Sequence, residues 1–414
     1  MSFYKGRHIL SGSDFDYHLL ENIFKLAEVI EAMEMDRHGR EELSCVLNPI
    51  DRKTGRRLGE QKKVLIYSPN APSLRTAVGS EVAVQLLGGQ VNRFQGMFSP
   101  FTTEVVGPKG ESLLSVVRTA IAFGYDMIIV RNDNIRAETD SFHVLVDKIE
   151  TLQLKRPFFF LSAGEGYLHH PLQMLTDLSV LREFKREQLM SGSLRLGLVG
   201  DVERSRVFRS LVPAMAYYGG TIYSIAPEGM LFPEDVWEEA VRINNEMMLL
   251  RSGTESRYRD PIAICTEGRQ KLRRVDIRDP FEVASEVDAW IFARLQKNLR
   301  ADDSPDYLAG IEAQYPRYCM RPELAQAIRN DAIITHSLPD AGQFPEKYHL
   351  GEDPRFVQWR GVEKSKYTKA AVIAENCAPN NALIVHWNRA RNVSEREKMQ
   401  ETYRQPQDHV CPAD

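Results

Sequence analysis

With 414 residues, 43% of them hydrophobic and 27% charged, and a formal net charge of −4, the chain has apolar material for more than one buried core. The slightly acidic balance argues against a general basic surface for nucleic acid or an anionic membrane, so an anionic partner would be small and held by a local positive cluster. The five cysteines (Cys45, Cys265, Cys319, Cys377 and Cys411) are scattered without a CxxC pair, which argues against a disulfide framework and a thiolate zinc site and for reduced thiols in a cytoplasmic protein.

Residues 1–7 lack the apolar core of a signal peptide, and no later stretch approaches the ~18 apolar residues of a membrane span. Residues 14–34 place Leu19, Leu20, Ile23, Phe24, Ala27 and Ile30 at helical spacing, which predicts an amphipathic first helix. Polar, basic residues 47–62 read as an exposed loop. The apolar run 63–68, the break Pro69-Asn70-Ala71-Pro72, helical periodicity over 76–87 and the stop Gly88-Gly89 make one strand–loop–helix unit. The pattern recurs as a helix over 112–123, strands over 127–130 and 158–161, and a helical stretch through Leu178. After a polar segment at 182–193 comes a fresh start: a strand ending in Gly200-Asp201, a helix over 206–218, and strands over 221–226, 287–292 and 332–336. Glu238 to Leu250 have helical spacing, and the tail from Asn392 is polar. This alternation predicts an α/β fold of two doubly wound parallel-sheet domains, with ligands where loops leave the carboxyl ends of strands.

Most of the chemically suggestive residues fall at such ends. Ser73-Leu74-Arg75-Thr76 opens a helix, whose unpaired N–H groups and dipole suit a phosphate, although Ser and Thr there also serve as plain caps. Gly164 to Gly166 lead to His169-His170-Pro171-Leu172-Gln173, which puts His170 and Gln173 on one side of a helix start. Adjacent histidines diverge on a helix and no HExxH accompanies them, so a neutral imidazole donating to a polarised carbonyl oxygen is the better functional reading than a metal. Lys109, Arg131, Arg206 and Arg294-Leu295-Gln296 add positive charge near strand ends. Walker A, GxGxxG and GxSxG sequences are absent, so neither ATP nor nicotinamide nor an activated serine is indicated.

Together and in this order, these segments resemble the aspartate/ornithine carbamoyltransferase family. The family's Ser-Thr-Arg-Thr-Arg turn followed by Leu-Gly-Gly corresponds to Ser73-Leu74-Arg75-Thr76-Ala77 and Leu87-Gly88-Gly89. Lys-Gly-Glu-Ser corresponds to Lys109 through Ser112, Met-Arg-His to Val130-Arg131-Asn132, and His-Pro-Thr-Gln to His170 through Gln173 with Asp177 beyond. The family's Gly-Asp turn and following arginine correspond to Gly200-Asp201 and Arg206. Ala293-Arg294-Leu295-Gln296 resembles the Thr-Arg-Val-Gln of the aspartate branch rather than the ornithine branch's Ser-Met-Gly, and an arginine suits a dicarboxylate acceptor.

The resemblance implies a carbamoyl-phosphate domain formed by 1–180 and 370–414, and an aspartate domain at 190–365 with an insertion around 230–285. It implies the transfer of a carbamoyl group from carbamoyl phosphate to L-aspartate in pyrimidine synthesis, with no metal and no cofactor. Ser73, Arg75, Thr76 and Arg131 would hold the phosphate, Arg75, Thr76 and His170 the carbamoyl oxygen, and Gln173 its nitrogen. Arg206 and Arg294, with Gln296 beside them, would clamp the carboxylates, and Leu338 and Pro339 would offer backbone carbonyls to the amine. In a homotrimer Lys109 would reach a neighbour's site, and assembly beyond the trimer stays open. The departures are Leu74, Ala77, Val105 (for a serine) and Asp340, whose negative charge is expected near a site for anions. They leave open a catalytically silent partner of an active enzyme and a transferase for a different acidic amine.

Overall fold

The computed structural model describes residues 8–51, 54–69, 73–94, 112–135, 141–152, 154, 156–252, 271–297, 300 and 303–378. The chain begins with helices α1 (Tyr17–Met35) and α2 (Arg37–Leu43). The first sheet contains β1 (Lys63–Tyr67), β2 (Gln90–Phe94), β3 (Met127–Asn132) and β4 (Phe159–Glu165), all parallel and ordered β2-β1-β3-β4. Helices α3 (Leu74–Leu86), α4 (Leu113–Ala122) and α5 (Phe142–Glu150) make its crossovers. Next come α6 (Pro171–Phe184) and the short α7 (Arg186–Ser191), so the polar stretch at 182–193 is largely helical rather than a bare linker.

The second sheet is also parallel and ordered β7-β6-β5-β8-β9, from β5 (Arg195–Gly200), β6 (Thr221–Ile225), β7 (Arg273–Ile277), β8 (Ala289–Ala293) and β9 (Ile333–His336). Its helices are α8 (Arg206–Met215), α9 (Glu234–Ser252), α10 (Pro305–Gln314), α11 (Pro322–Ala327) and α12 (Glu346–His349). Helix α13 (Gln358–Cys377) then packs on α1, α3 and α6. One continuous apolar cluster, including Ile23, Ile66, Leu175, Leu198, Phe208 and Ile373, joins α1, α6, α8 and α13 between the sheets.

The buried strands follow from their sequences. β8 is buried along its whole length, as expected for a central parallel strand covered on both faces, and β4, last in its sheet, is equally buried, with Ile9 bridging to Leu161 along its outer side. The two strands missing from the sequence reading, β2 and β7, are sheet edges with mostly exposed, polar residues. Their hydrophobic signal is weak because these two edges, unlike β4 and β9, bury little. The 230–285 stretch read as an insertion thus contributes α9 and an edge strand of the sheet. Among the described residues no helix is long and apolar enough to cross a membrane.

Candidate active site

The carboxyl ends of β1, β3 and β4 face those of β5, β8 and β9 across a cleft of about 400 Å³. Ser73, Arg75, Thr76, Arg131, His170, Gln173, Arg206, Arg294, Gln296, Leu338 and Pro339 all line it. The structure therefore brings together every predicted site residue except Lys109, which lies outside the described residues, as does Val105.

Ser73 is the N-cap of α3, but its side chain makes no capping bond. Ser112, Ser141, Ser205 and Ser304, at the starts of α4, α5, α8 and α10, all do. The Ser73 hydroxyl is thus left for the cleft, beside the first-turn N–H groups of α3. Arg75 and Arg294 pair with no carboxylate among the described residues. Burial, reinforced for Arg75 by Arg294 and for Arg294 by Arg206, lowers the pKa of each. Such unneutralised cations make a cleft complementary to anions.

Arg131 and Arg206 share one carboxylate that the sequence reading missed. Asp133 accepts from Arg131 Nη2 at 3.0 Å and from Arg206 Nη1 at 2.5 Å. Arg206 also donates to the carbonyl of Gly166 at 2.9 Å. This aspartate spans the two sheets, since β3 carries Arg131 and α8 begins with Arg206. Burial, opposed by Asp133, still brings Arg131 down to about 10. No periodicity marks Asp133; only the fold sets it between two arginines far apart in the chain.

His170 caps α6, with Pro171 at the first helical position. Its Nδ1 accepts the backbone N–H of Gln173 at 3.4 Å, and its backbone N–H donates to Ser210 Oγ at 2.9 Å. Burial, then the charges of Arg206 and Arg131, hold its pKa well below the usual histidine value, so the ring is neutral. With Nδ1 accepting, the proton sits on Nε2, the state needed to donate to a carbonyl oxygen. His169 turns the other way, edge-on to His143 at 5.9 Å, and no metal-holding cluster exists among the described residues.

Gln173 Nε2 donates to Asp177 Oδ1 at 2.8 Å, which leaves its Oε1 to accept from a ligand. Asp177 also takes the Ser337 hydroxyl at 3.0 Å, and burial raises its pKa to about 7. Gln296 is anchored through its backbone N–H to Asp201 at 2.9 Å. Asp340 corrects an expectation: its carboxylate does not face the cleft. It accepts the backbone N–H of Gln343 at 2.5 Å and meets His349 Nε2 at 2.7 Å, so its charge is spent closing its own turn.

Glu165, at the end of β4, carries a pH dependence. Its side chain accepts the Phe142 N–H through Oε1, while Oε2 is buried without a partner. Burial raises its pKa from 4.5 to about 8. Between those values the folded protein keeps a proton that the unfolded chain has released, so this group's contribution to stability falls as pH rises and levels off above 8. Glu165→Gln is therefore expected to match the wild type in denaturant midpoint near pH 5 and exceed it near pH 9. An equal difference at both pH values would contradict this.

Fold and cleft together define a doubly wound α/β protein whose cleft between the two sheets is lined by Arg75, Arg131, Arg206 and Arg294. Residues 7–183 match the family model described as the aspartate/ornithine carbamoyltransferase carbamoyl-P binding domain. Over those residues the chain is similar to the aspartate/ornithine carbamoyltransferase family. It is 26% identical over 373 residues to the aspartate carbamoyltransferase catalytic subunit of Clostridium botulinum (strain Loch Maree), covering 90% of this chain and 98% of that one. The Methanopyrus kandleri catalytic subunit is 26% identical over 361 residues, 87% of this chain and 94% of its own. Among solved structures, Trypanosoma cruzi aspartate transcarbamoylase with carbamoyl aspartate and phosphate matches with TM-score 0.66 at 19% identity, covering 90% of this chain and 97% of that one. Ornithine carbamoyltransferase from Pyrococcus furiosus matches with TM-score 0.67 at 17% identity, covering 92% and 100%. The overall fold is thus common to both branches, and the acceptor has to be read from the cleft.

Proposed function

We propose that this protein transfers the carbamoyl group of carbamoyl phosphate to L-aspartate, giving N-carbamoyl-L-aspartate and phosphate. The observation that carries this reading is Arg294, a cation on the wall opposite Arg75 that has no carboxylate partner among the described residues. It suits a dicarboxylate acceptor and disfavours a second amine. The names of the Clostridium and Methanopyrus relatives support the same acceptor.

In this reading Ser73, Arg75, Thr76 and Arg131 bind the phosphate, with help from the α3 N-terminus. His170 Nε2, Arg75 and Thr76 donate to the carbamoyl oxygen, and Gln173 Oε1, oriented by Asp177, accepts from the carbamoyl nitrogen. Arg294 and Arg206, with Gln296, bind the acceptor's carboxylates, while the carbonyls of Leu338 and Pro339 meet its amine. Catalysis is orientation plus stabilisation of the tetrahedral oxyanion. The departing phosphate takes the amine proton, so no protein base is required. The pathway served is pyrimidine synthesis, in a cytoplasmic homotrimer whose Lys109 enters a neighbour's cleft.

Arg294→Ala tests the acceptor assignment. The expected result is an aspartate KM raised by about 10²-fold, from loss of a charge-assisted contact, with the carbamoyl-phosphate KM changed far less. Equal damage to both would remove Arg294 from the acceptor site. A second reading, a transferase with the same donor and another acidic amine, draws on Asp133, which already occupies Nη1 of Arg206. A panel of acidic amines compared by kcat/KM separates the two.

A further inference from the structure

Lys369 is a buried cation that the mechanism above does not use. It lies on α13, 5% exposed, far along the chain from the phosphate turn. Its ammonium donates to the carbonyl of Arg75 at 3.1 Å, in the first turn of α3. The space it occupies exists because residue 79 is glycine: a Cβ there would stand 2.6 Å from Nζ. Ala77, two residues before Gly79 on the same helix, is buried and brings no charge. Lys369 also borders a cavity of about 20 Å³ beneath the cleft, shared with Arg75, Thr76, His170, Gln173 and Asp177.

A buried ammonium without a carboxylate partner among the described residues is costly to keep charged. Burial, then the neighbouring Arg75, lowers its pKa to about 7. The groups facing it are Arg75 from α3, His170 and Asp177 from α6, His336 from the end of β9 and the Ser365 hydroxyl from its own helix. Asp177 is the one acid among them, and its two oxygens are taken by Gln173 and Ser337. A dianion bound at the α3 N-terminus would supply the missing countercharge.

We propose that Lys369 is a positioning residue of the anion subsite, propping the Arg75 turn from beneath and taking up a proton when a phosphate-like dianion binds above it. This rests on the phosphate assignment under Proposed function but not on the acceptor or on turnover. Sign and size follow from linkage. Above its own titration Lys369 is neutral in the free protein and charged in the complex, so affinity falls by up to about tenfold per pH unit as pH rises above 7.

The test uses the full chain and inorganic sulfate, a dianion that does not itself titrate in this range. Its binding is followed from pH 6 to 9 by thermal shift and by calorimetry in two buffers of different ionisation enthalpy. The wild type is expected to show the pH-dependent loss of affinity and proton uptake above pH 7. Lys369→Gln, which keeps a donor for the Arg75 carbonyl, should bind about tenfold more weakly at pH 6.5, with a flat profile and no uptake. Asp177→Asn should retain the uptake, which excludes the other buried group as its source. Gly79→Ala, which crowds the ammonium and leaves Lys369 in place, should also weaken sulfate. Wild-type pH dependence in Lys369→Gln, or unchanged affinity in Gly79→Ala, would overturn the proposal. Failure of carbamoyl-aspartate formation with these sulfate results intact would fault the reaction assignment alone.

Discussion

Arg75→Ala is expected to lower turnover by about 10²–10³-fold and to raise the carbamoyl-phosphate KM, because in the proposed reaction one guanidinium would serve both the bound phosphate and the developing oxyanion. The side chain projects from the first turn of α3, lines the cleft and the smaller cavity beneath it, and has no carboxylate partner among the described residues. Removing it breaks no internal ion pair, so the fold should survive and the loss should fall on chemistry. Arg75→Lys keeps the charge but loses the planar fork, and an intermediate rate is expected. Steady-state kinetics with both substrates varied decide the matter. Turnover within a few-fold of the wild type would remove Arg75 from the catalytic groups.

The largest expected effect on stability is elsewhere. Arg300 is completely buried, and its guanidinium is held by Asp201 at 2.6 and 3.0 Å, Glu203 at 2.8 Å and Asp303 at 3.0 Å. Asp201 is equally buried and also accepts the backbone N–H groups of Gln296 and Arg204. Asp201→Ala leaves a buried arginine without its main partner and is expected to cost about 3–5 kcal/mol. Urea unfolding should show a lower midpoint with an unchanged slope. Because this cluster fixes the turn that leads to Arg206 and the strand end that carries Gln296, aspartate use should weaken together with stability. The double change Asp201→Asn with Arg300→Leu should be milder than Asp201→Ala, since it removes both fully buried charges while Arg204 still pairs with Glu203 at 3.5 Å and Asp303 at 3.6 Å. A single variant as stable as the wild type would show that the cluster adds nothing to the fold.

What the sequence reveals and conceals follows from how local each signal is. The phosphate turn and the α6 start can be read because Ser73 to Thr76 and His170 to Gln173 each concentrate their chemistry within one helical turn. Central strands such as β8 can be read because burial on both faces makes them continuously apolar. Edge strands β2 and β7 escape because polar residues suit an exposed edge. Asp133 and Lys369 escape for a different reason: an acid two residues beyond an arginine, or a lysine in a polar helix, looks like surface charge. Only the packing of α8 against the end of β3, and of α13 beneath α3, gives them partners. Asp340 is the converse, a charge whose sequence position is close to the site and whose side chain turns to His349.

Incubating the purified protein with carbamoyl phosphate and L-aspartate, and separately with L-ornithine, and measuring the carbamoylated product separates the two acceptors. N-carbamoyl-L-aspartate and phosphate are expected in equal amounts, with no citrulline. Citrulline alone, or no product from a folded protein that still binds sulfate, would contradict it.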